Sequence, residues 1–328
     1  MIQHPSRRTV VSALLSATAT AALPIKVRAQ EAYPTRPINF IVASVAGGIL
    51  DTIGRIVARG LEKMGQPVVV ENIAGAGSTL GTAAAVRAKA DGYTVCMVAT
   101  SHAINPSVYA KLPYDTKRDL QPISHAVNLI NVLGVGASVP AKTLQEFIDL
   151  AKKKPGELTF GSAGNGQSNH LSGELFSTAA GIRMIHVPYK GSAAALVDVI
   201  GGNVNSMFVD VLSAVPYIES GKMRALAVSG NARQPALPNV PTFAEAGLPN
   251  FNANSWLGIV TKAGTPPEIV AKLGAAAAAV MQDPAVRARL IAMGVQPVGS
   301  TPEEFTKFLD AEIDRYAAAV KAAGITPQ

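Results

Sequence analysis

Three short segments of the chain are rich in small or polar residues such as glycine, serine, threonine and histidine, which hold ligands through amide, hydroxyl and imidazole hydrogen bonds. They are Ser44-Val45-Ala46-Gly47-Gly48, Thr100-Ser101-His102 and residues 162–168, which read Ser-Ala-Gly-Asn-Gly-Gln-Ser. Glycine lets backbone N–H groups approach a ligand closely, and a helix that begins at such a segment adds partial positive charge. This pattern predicts a site for an anion, although tight turns alone would also account for the glycines.

The remaining polar residues give little support to enzymatic chemistry. The chain has no Gly-x-Ser-x-Gly nucleophile elbow and no phosphate-binding loop, and its histidines lack the spacing of a zinc site. Asp51, Asp210, Ser101 and His102 could meet in a cleft, but the sequence does not identify a base paired with a group that orients it. We therefore expect no enzyme, no cofactor and no metal, with a secreted hydrolase that uses Ser162 or Ser101 as the alternative.

The three segments follow predicted strands of an α/β chain, in which apolar runs alternate with helices as in a mostly parallel sheet covered on both faces. The expected strands are Ile38–Val42, Val68–Val70, Thr94–Ala99, Val127–Gly136, Leu158–Phe160, Met184–Val187, Val204–Val209, Arg224–Ser229 and Trp256–Val260. The expected helices in this region are Asp51–Met64, Ser78–Lys89, Thr143–Lys153, Ser168–Ala180 and Ser192–Ile200. Ligands of open α/β sheets bind at the edge where parallel strands end, which is where these segments lie.

Helix starts and lobe crossings can also be placed from the sequence. Thr143, Thr265 and Thr301 each stand three residues before a glutamate, which predicts a capped helix N-terminus at each. After the last strand the chain is expected to be helical to its end. Since no flexible linker divides the chain, two lobes would have to be joined by crossing strands, and Val127–Gly136 and Trp256–Val260 are the candidates.

Composition excludes several classes of protein. The 328 residues are 48% hydrophobic and 16% charged, which fits a folded chain with two lobes of ordinary domain size. The single cysteine, Cys96, excludes a disulfide framework. Residues 1–29 carry four basic and no acidic residues, so their removal lowers the formal charge from +7 to +3. Because the basic residues are scattered and aromatic residues are few, we expect no nucleic-acid binding.

Residues 1–29 have the layout of an export signal. Arg7-Arg8 precede an uncharged, mostly apolar run over Val10–Leu23, and Val27-Arg28-Ala29 offers a site for signal peptidase. The apolar run is too short to cross a hydrocarbon core, which needs about 20 residues. We predict cleavage after Ala29 and a periplasmic mature protein, with the paired arginines favouring the twin-arginine route.

A series of segments stands here in the order shared by one family of known proteins. They are YPTRPINFIVASVAGGILD, VVVENIAGAGSTLGT, ADGYTV, HAINPSVYAKLPYD, NVLGVGASVPAKT, KPGELTFGSAGNGQSNHL, VPYKGSAAAL, GKMRALAVSG, LPNVPTFAEAGLP and GTPPEIVAKL. Through them, from Tyr33 to Gly324, the chain resembles the Bug family, the periplasmic solute-binding proteins of tripartite tricarboxylate transporters.

The resemblance implies a fold and a function. It implies a periplasmic binding protein type II-like fold, with two α/β lobes joined by crossing strands and one small carboxylate closed between them. We expect residues 30–128 with 256–328 to form one lobe and residues 129–255 the other. The implied partners are a small organic carboxylate, with aromatic acids among the candidates, and the membrane permease of a tripartite tricarboxylate-type transporter. We expect a monomer, and a sensor that presents the same ligand to a membrane kinase is an alternative.

The resemblance also implies where the ligand binds. The loops that hold a carboxylate in the family correspond to Ser44–Asp51, Thr100–His102 and residues 162–168, with a fourth region near Phe208–Val211. These loops bind through amides, hydroxyls and bridging waters, without an arginine clamp. The candidate contacts are Ser44, Val45, Ala46, Gly47, Gly48, Asp51, Thr100, Ser101, His102, Ser162, Ala163, Gly164, Asn165, Ser168 and Asp210.

Three departures from the family pattern bear on the ligand. Ser44 stands where the family usually has phenylalanine, and Ile49 stands where it has a polar residue. These two changes predict a wider or more apolar pocket, suited to an aromatic or longer carboxylate. Asp210 replaces a frequent asparagine, and either bonds an amine or hydroxyl of the ligand or caps the following helix.

Overall fold

The computed structural model of the chain describes Met1 and residues 33–327, so the predicted export signal and its cleavage site lie outside the described residues. The strands are β1 Ile38–Val42, β2 Val68–Asn72, β3 Thr94–Ala99, β4 Leu120–Leu129, β5 Asn131–Gly136, β6 Thr159–Ser162, β7 Ile185–Pro188, β8 Ser206–Asp210, β9 Met223–Val228, β10 Ser255–Lys262 and β11 Val295–Pro297. The helices are α1 Ile49–Leu61, α2 Thr79–Arg87, α3 Ser101–Val108, α4 Leu144–Lys153, α5 Ser168–Ala180, α6 Ser192–Ile200, α7 Val211–Glu219, α8 Pro267–Gln282, α9 Pro284–Ala292 and α10 Pro302–Ala322.

The strands form two mixed sheets. The first has the order β11-β4-β10-β3-β1-β2, with β1 parallel to β2 and β3 and with β10 antiparallel to β3 and β4. The second has the order β7-β6-β8-β5-β9, with β6 parallel to β7 and β8 and with β5 antiparallel to β8 and β9. The expected α/β class is confirmed, and each sheet carries strands of both directions.

The chain crosses from the first sheet to the second at a single residue. β4 ends at Leu129 and β5 begins at Asn131, so only Ile130 separates strands that belong to different sheets. The prediction of a single strand over Val127–Gly136 was therefore wrong, because this run is divided between two strands at Ile130. No glycine or proline stands at Ile130 or beside it to mark the change of sheet. The return crossing lies between β9 and β10, and Ser255 at the start of β10 pairs with Leu129.

Hydrogen bonds tie the two crossings together. The Asn131 side-chain amide donates to the Ala253 carbonyl oxygen at 2.6 Å and to the Ser255 hydroxyl at 3.2 Å. The Asn131 backbone N–H donates to the Ser229 hydroxyl at 2.9 Å, and that hydroxyl donates to the side chain of Asn254. Both passages between the sheets are therefore held in one polar network.

Each sheet buries apolar side chains on both of its faces. In the last helix, Phe305, Leu309, Ile313 and Tyr316 of α10 are buried against the first sheet. Leu171 of α5 is buried in this same cluster, so a helix that follows a strand of the second sheet also packs against the first.

The predicted helix caps have mixed outcomes. The hydroxyls of Thr143 and Thr301 accept hydrogen bonds from the third residue of their helices, as expected, and Thr301 forms a full capping box with Glu304. The cap at Thr265 was wrong, because α8 begins after Pro266 and the Thr265 hydroxyl donates to the Lys262 carbonyl oxygen instead.

The length and apolar character of helices α8 and α9 bear on whether the chain could span a membrane. Within the described part of the chain no single helix is long and apolar enough to cross a membrane. α8 and α9 satisfy length and composition only when taken together, and they meet at an angle of 66°.

Packing between β10 and α10 gives a first prediction. A Cβ atom at Gly258 would lie 2.2 Å from the buried Phe305 ring, so Gly258→Ala should overpack this contact. We expect the free energy of unfolding to fall by about 1–3 kcal/mol, measured by urea titration. Adding Phe305→Leu should recover part of the loss, because the shorter side chain leaves room for the methyl group. A Gly258→Ala protein as stable as the parent would contradict this packing.

Candidate ligand-binding site

The predicted ligand segments of both sheets lie on the side where the chain crosses. β1 and β3 of the first sheet end at the segments 44–48 and 100–102. The end of β3, at Ala99, pairs with Leu257 near the start of β10. In the second sheet Asp210, at the end of β8, pairs with Asn131 at the start of β5. The carboxyl ends of the parallel strands therefore point toward the crossings from both sheets.

Of the six helices that follow strand ends at these two edges, five lack a side-chain cap, and the exception is α7, which Asp210 caps. No side chain caps α1, α2 or α3, which follow strands of the first sheet, or α5 or α6, which follow strands of the second. Among the remaining helices, Thr143, Asp283 and Thr301 cap α4, α9 and α10, whereas α8 has no side-chain cap. The first-turn N–H groups of an uncapped helix lack side-chain acceptors, and its N-terminus carries partial positive charge. An anion is the complement of such helix ends.

Asp51 holds the first segment in place. Its Oδ2 accepts hydrogen bonds from the Gly47 N–H at 2.9 Å and from Arg55 Nε at 3.0 Å. Its Oδ1 accepts from Asn72 Nδ2 at 2.9 Å, and the same Nδ2 donates to the Ser44 carbonyl oxygen at 3.2 Å. The hydrogen bond from Arg55 is the largest cause that lowers the Asp51 pKa, to about 2. The carboxylate is thus ionised, and the Arg55 guanidinium balances its charge. Both of its oxygens are already hydrogen-bonded within the protein.

Sequence reasoning missed Arg55 and Asn72. Asn72 ends the strand beside β1, so the neighbouring strand end was the available signal, whereas Arg55 looked like any basic residue on a helix. The two side chains also bond each other, with 3.1 Å between Arg55 Nη2 and Asn72 Oδ1.

The exposed side chains of the first segment are apolar. Val45 is 64% exposed and Ile49 is 36% exposed, while Ser44 is partly buried. Gly47 has φ of +83°, which a residue with a Cβ rarely adopts, so the turn requires glycine there. The segment presents two aliphatic surfaces beside its backbone amides.

In the second segment Thr100 and His102 are buried, whereas Ser101 is partly exposed. The buried Thr100 hydroxyl accepts a hydrogen bond from the Trp256 N–H at 2.8 Å and so fixes the start of β10. His102 is 2% exposed, its ring stacks on Tyr114 with 6.4 Å between centroids, and neither of its nitrogens has a hydrogen-bond partner among the described residues. Burial lowers the His102 pKa to about 4, so the ring is neutral at pH 7. Ser101, at the start of α3, is partly exposed.

Two imidazoles support the third segment. The Ser162 hydroxyl lies 2.6 Å from His186 Nε2 and accepts from the Gly164 N–H at 3.1 Å. His170 Nδ1 accepts from the Gly166 N–H at 3.0 Å, and the rings of His170 and His186 stack with 3.6 Å between centroids. Burial, and then the proximity of His170, lowers the His186 pKa to about 4.

The Ser162–His186 pair has the atoms of a nucleophile and a base, but its arrangement is that of a loop support. Ser162 is 0% exposed, and its hydroxyl oxygen is already held by the Gly164 N–H. A nucleophilic hydroxyl must be able to reach a substrate carbonyl, and the buried Ser162 hydroxyl is not accessible to one. The described residues also contain no group of three or more His, Cys, Asp or Glu side chains placed to hold a metal ion.

Asp210 caps the helix that follows it. Its Oδ1 accepts from the Ser213 N–H at 2.8 Å, and Asp210 is the N-cap residue of α7. Of the two interpretations drawn from the sequence, the structure displays the cap, with the residue itself partly exposed.

One cavity brings predicted residues of the two sheets together. Ser101 from the first sheet's side and Asn165 from the second line a space of about 70 Å³, with Ile325 and Thr326 of the C-terminal segment on its wall. Gly166 approaches Val108 of α3 so closely that an added Cβ would lie 3.1 Å from that side chain. Residues 44–51 do not line this cavity, and Asp51 instead lines a groove between α1 and α9. The cavity therefore joins residues of the second and third segments, and not of the first.

Two sheets whose loops face one another beside paired crossings define the class of two-lobed periplasmic binding proteins. Residues 53–325 match the family model TctC, described as the tripartite tricarboxylate transporter family receptor, and the chain belongs to this family. The family resemblance inferred from the sequence is thereby confirmed. The family consists of periplasmic solute-binding proteins and not of enzymes, which removes the hydrolase alternative.

Individual relatives agree with this assignment. Protein BugT of Bordetella pertussis is 36% identical over 322 residues, which are 97% of this chain and 98% of BugT. MatC from Rhodopseudomonas palustris, solved with bound malate, is 31% identical with a TM-score of 0.72, covering 88% of this chain and 100% of MatC. An R. palustris protein solved with adipate is 33% identical with a TM-score of 0.77, covering 90% of this chain and 100% of that protein. The expected periplasmic binding protein fold is confirmed.

The Asp51 network predicts the behaviour of Asp51→Asn. An asparagine cannot accept from Gly47, Arg55 and Asn72 together, so we expect the Gly47 amide to exchange with solvent faster. The free energy of unfolding should fall by about 1–3 kcal/mol, as for a buried acceptor that is lost. Hydrogen exchange and urea titration measure the two effects. Asp149→Asn, on the exposed surface of α4, is the matched control. Unchanged Gly47 exchange in Asp51→Asn would contradict the assigned role.

The histidine pKa values predict acid lability. Burial lowers the pKa of His102, His125 and His186 from 6.5 to about 4, so between these values the unfolded chain binds protons that the folded chain does not. Stability should therefore be level above pH 6.5 and decrease as the pH falls toward 4. The slope should reach about 1.4 kcal/mol per pH unit for each fully buried histidine.

Urea titrations across this pH range measure the slope. His102→Leu should reduce it without loss of stability at pH 7, because the two ring nitrogens leave no bonded partner behind. An unchanged slope in His102→Leu would show that this ring is not held neutral in the folded protein.

Proposed function

We propose that this protein binds one small organic carboxylate between its two lobes and delivers it to the membrane permease of a tripartite tricarboxylate-type transporter. The observation that carries the proposal is the set of uncapped helix N-termini, with α1 and α3 on one sheet and α5 on the other, directed toward the paired crossings. Such ends complement a carboxylate. Membership of the receptor family and the relatives solved with malate and adipate support the same ligand class.

The proposed contacts are those of the three segments and Asp210, in two roles. Backbone amides of the segments, with Ser101 and Asn165, are proposed to face the ligand. Asp51, Thr100 and Ser162 are proposed to position these amides, because their polar atoms are already bonded within the protein.

Amides and hydroxyls can supply enough affinity without an arginine clamp. A micromolar dissociation constant corresponds to about −8 kcal/mol, and hydrogen bonds to a charged group contribute about 1.5–3 kcal/mol each. A handful of bonds from the helix ends therefore suffices. Arg55, the basic side chain next to the first segment, already donates hydrogen bonds to Asp51 and Asn72. The backbone amides of the segment are therefore the proposed donors to the ligand.

The first segment indicates the shape of the ligand. With Ser44 in place of an aromatic wall, and Val45 and Ile49 exposed, the space beside the amides is wide and aliphatic. A carboxylate with an aromatic ring or a longer hydrocarbon chain would bury apolar area there, which adds about 25 cal/mol for each Å² removed from water. We propose such an acid in preference to a small dicarboxylate.

Closure is proposed to occur about the two crossings. The lobes would comprise residues 30–128 with 256–328 and residues 129–255, which places Asn131, Ser229 and Asn254 in the hinge between them. Domain closure of this kind concentrates its torsional change in a few residues at the ends of elements. We further propose a monomer that is exported to the periplasm by the twin-arginine route and cleaved after Ala29.

A carboxylate panel tests this function. The mature protein is titrated with succinate, malate, adipate, benzoate and phthalate, and the midpoint of thermal unfolding is followed. At least one of these acids should raise the midpoint in a concentration-dependent manner, since a ligand at 100 times its Kd adds about 2.7 kcal/mol of stability. The aromatic acids or adipate should act at lower concentration than succinate. No response across the panel would overturn the ligand class.

Paired variants test the site itself. Ser101→Ala with Asn165→Ala removes polar groups from both sides of the cavity, and should weaken binding of the best acid by about tenfold or more. Asn203→Ala with Ser220→Ala makes the same chemical changes at exposed positions of the second lobe and should leave the affinity unchanged. Equal affinities for the two pairs would place the ligand elsewhere.

A further inference from the structure

A groove on the first lobe is separate from the proposed ligand cavity. It lies between α1 and α9, has a volume of about 430 Å³, and is lined by four cationic side chains and two carboxylates. The cationic residues are Arg55, Arg59, Lys63 and Arg289, and the acidic ones are Asp51 and Asp283. The groove therefore carries an excess of positive charge.

Two of its cations have no ionic partner in the part of the chain that the structure describes. Arg55 pairs with Asp51 at 3.0 Å, and Lys63 lies 3.6 Å from Asp283. Arg59 and Arg289 are exposed and make no ion pair or side-chain hydrogen bond among the described residues. They stand on opposite walls of the groove, one on α1 and one on α9. The unneutralised charge is thus available to an incoming group.

The spacing of the cations suits an extended acidic partner. Arg55, Arg59 and Lys63 recur every four residues, which places them in a row along one side of α1 and the turn that follows it. At 1.5 Å per residue the row is about 12 Å long. A helix with carboxylates at the same four-residue spacing would place one at the unpaired Arg59 and others beside Arg55 and Lys63, which it would share with Asp51 and Asp283. A single small anion would meet only part of the row.

The floor of the groove is apolar. Ile56 of α1, Val280 of α8 and Val286 of α9 line it beneath the charged side chains. Helices α1 and α8 meet closely at Gly60 of α1, where an added Cβ would lie 1.9 Å from Val280 of α8. A partner with an apolar face next to its carboxylates would therefore bury both kinds of group.

The groove shares a side chain with the proposed ligand loop. Asp51 Oδ2 accepts at once from the Gly47 N–H of the loop and from Arg55 of the groove, at 2.9 and 3.0 Å. Asn72 adds a second connection, because it bonds both Arg55 and the Ser44 carbonyl oxygen. A shift of the loop would displace the Arg55 guanidinium, and a group bound to Arg55 would pull on the loop.

We propose that the groove between α1 and α9 is a docking surface for an acidic, amphipathic segment of a protein partner, and that Asp51 and Asn72 couple it to the first ligand loop. The two carboxylates inside the groove weaken its attraction for any anion, so it is the apolar lining that favours a peptide with a hydrophobic face over a free anion. The inference goes beyond the proposed function, since docking does not depend on which acid occupies the cleft.

The test uses a synthetic 14-residue helical peptide with glutamate at every fourth position and leucine on the adjacent stripe. It is titrated into the isotope-labelled mature protein at low ionic strength, and amide chemical shifts are recorded. Shifts should concentrate in α1 and α9 and extend to Gly47. Arg59→Glu with Arg289→Glu should weaken binding by about tenfold or more, since each reversal replaces an attractive contact by a repulsive one.

Matched variants and probes decide the outcome. Lys152→Glu with Lys153→Glu, on the exposed surface of α4, should change peptide affinity less than about twofold. Arg59→Gln with Arg289→Gln removes the two groove charges without reversing them, and it replaces the charge-reversed variant if that protein misfolds. Equal losses for the groove and α4 pairs would overturn the proposal. So would inorganic phosphate giving the same shifts at the same concentration, or anionic phosphatidylglycerol vesicles binding where the peptide does not. The carboxylate response of the groove variants should match that of the parent, so failure of docking is distinguishable from failure of the proposed function.

Discussion

The double crossing between the sheets is the constraint on which the rest of the structure depends. β10 runs antiparallel to β3, and β5 runs antiparallel to β8, so the chain leaves one sheet and enters the other on the side where the parallel strands end. Every loop at a carboxyl end of those strands is therefore turned toward the other sheet. Asn131 reinforces this arrangement, because its side chain bonds residues of the return passage. Two ordinary α/β sheets acquire facing edges from this topology alone.

Within this frame the polar side chains act mainly on the protein itself. Asp51, Thr100, Ser162 and Asp210 were all candidates for direct contact, and each has a polar atom bonded to a backbone N–H of its own or a neighbouring segment. Such bonds fix the loops before any ligand arrives, which lowers the entropy lost on binding. The Asp51 charge is balanced by Arg55, so it does not repel a carboxylate as a free aspartate would. We propose that recognition is left to the backbone amides, together with Ser101 and Asn165.

The sequence predicted the parts of this arrangement that depend on local pattern. The strands Ile38–Val42 and Thr94–Ala99 were predicted with their observed bounds, because short apolar runs between helices have few other solutions. The candidate ligand segments 44–48 and 100–102 could be found because they follow these two strands. α3 was missed as a helix because Pro106 interrupts its short sequence, although the tertiary packing of its buried residues sustains it. The break at Ile130 and the bonds from Asn72 arise from long-range pairing, for which neighbouring residues carry no pattern.

The shared use of Asp51 connects two requirements of a transport receptor. A partner can distinguish loaded from empty protein only through contacts that differ between the two states. The first segment is held by a carboxylate whose other donor, Arg55, stands on the outer surface of α1. Any ligand that draws the Gly47 amide toward itself competes with Asp51 for that N–H, and a weakened bond there leaves the carboxylate freer to follow Arg55. We propose that the position of the Arg55 guanidinium on the surface depends on whether a ligand occupies the Gly47 amide, through the Asp51 side chain that bonds both groups.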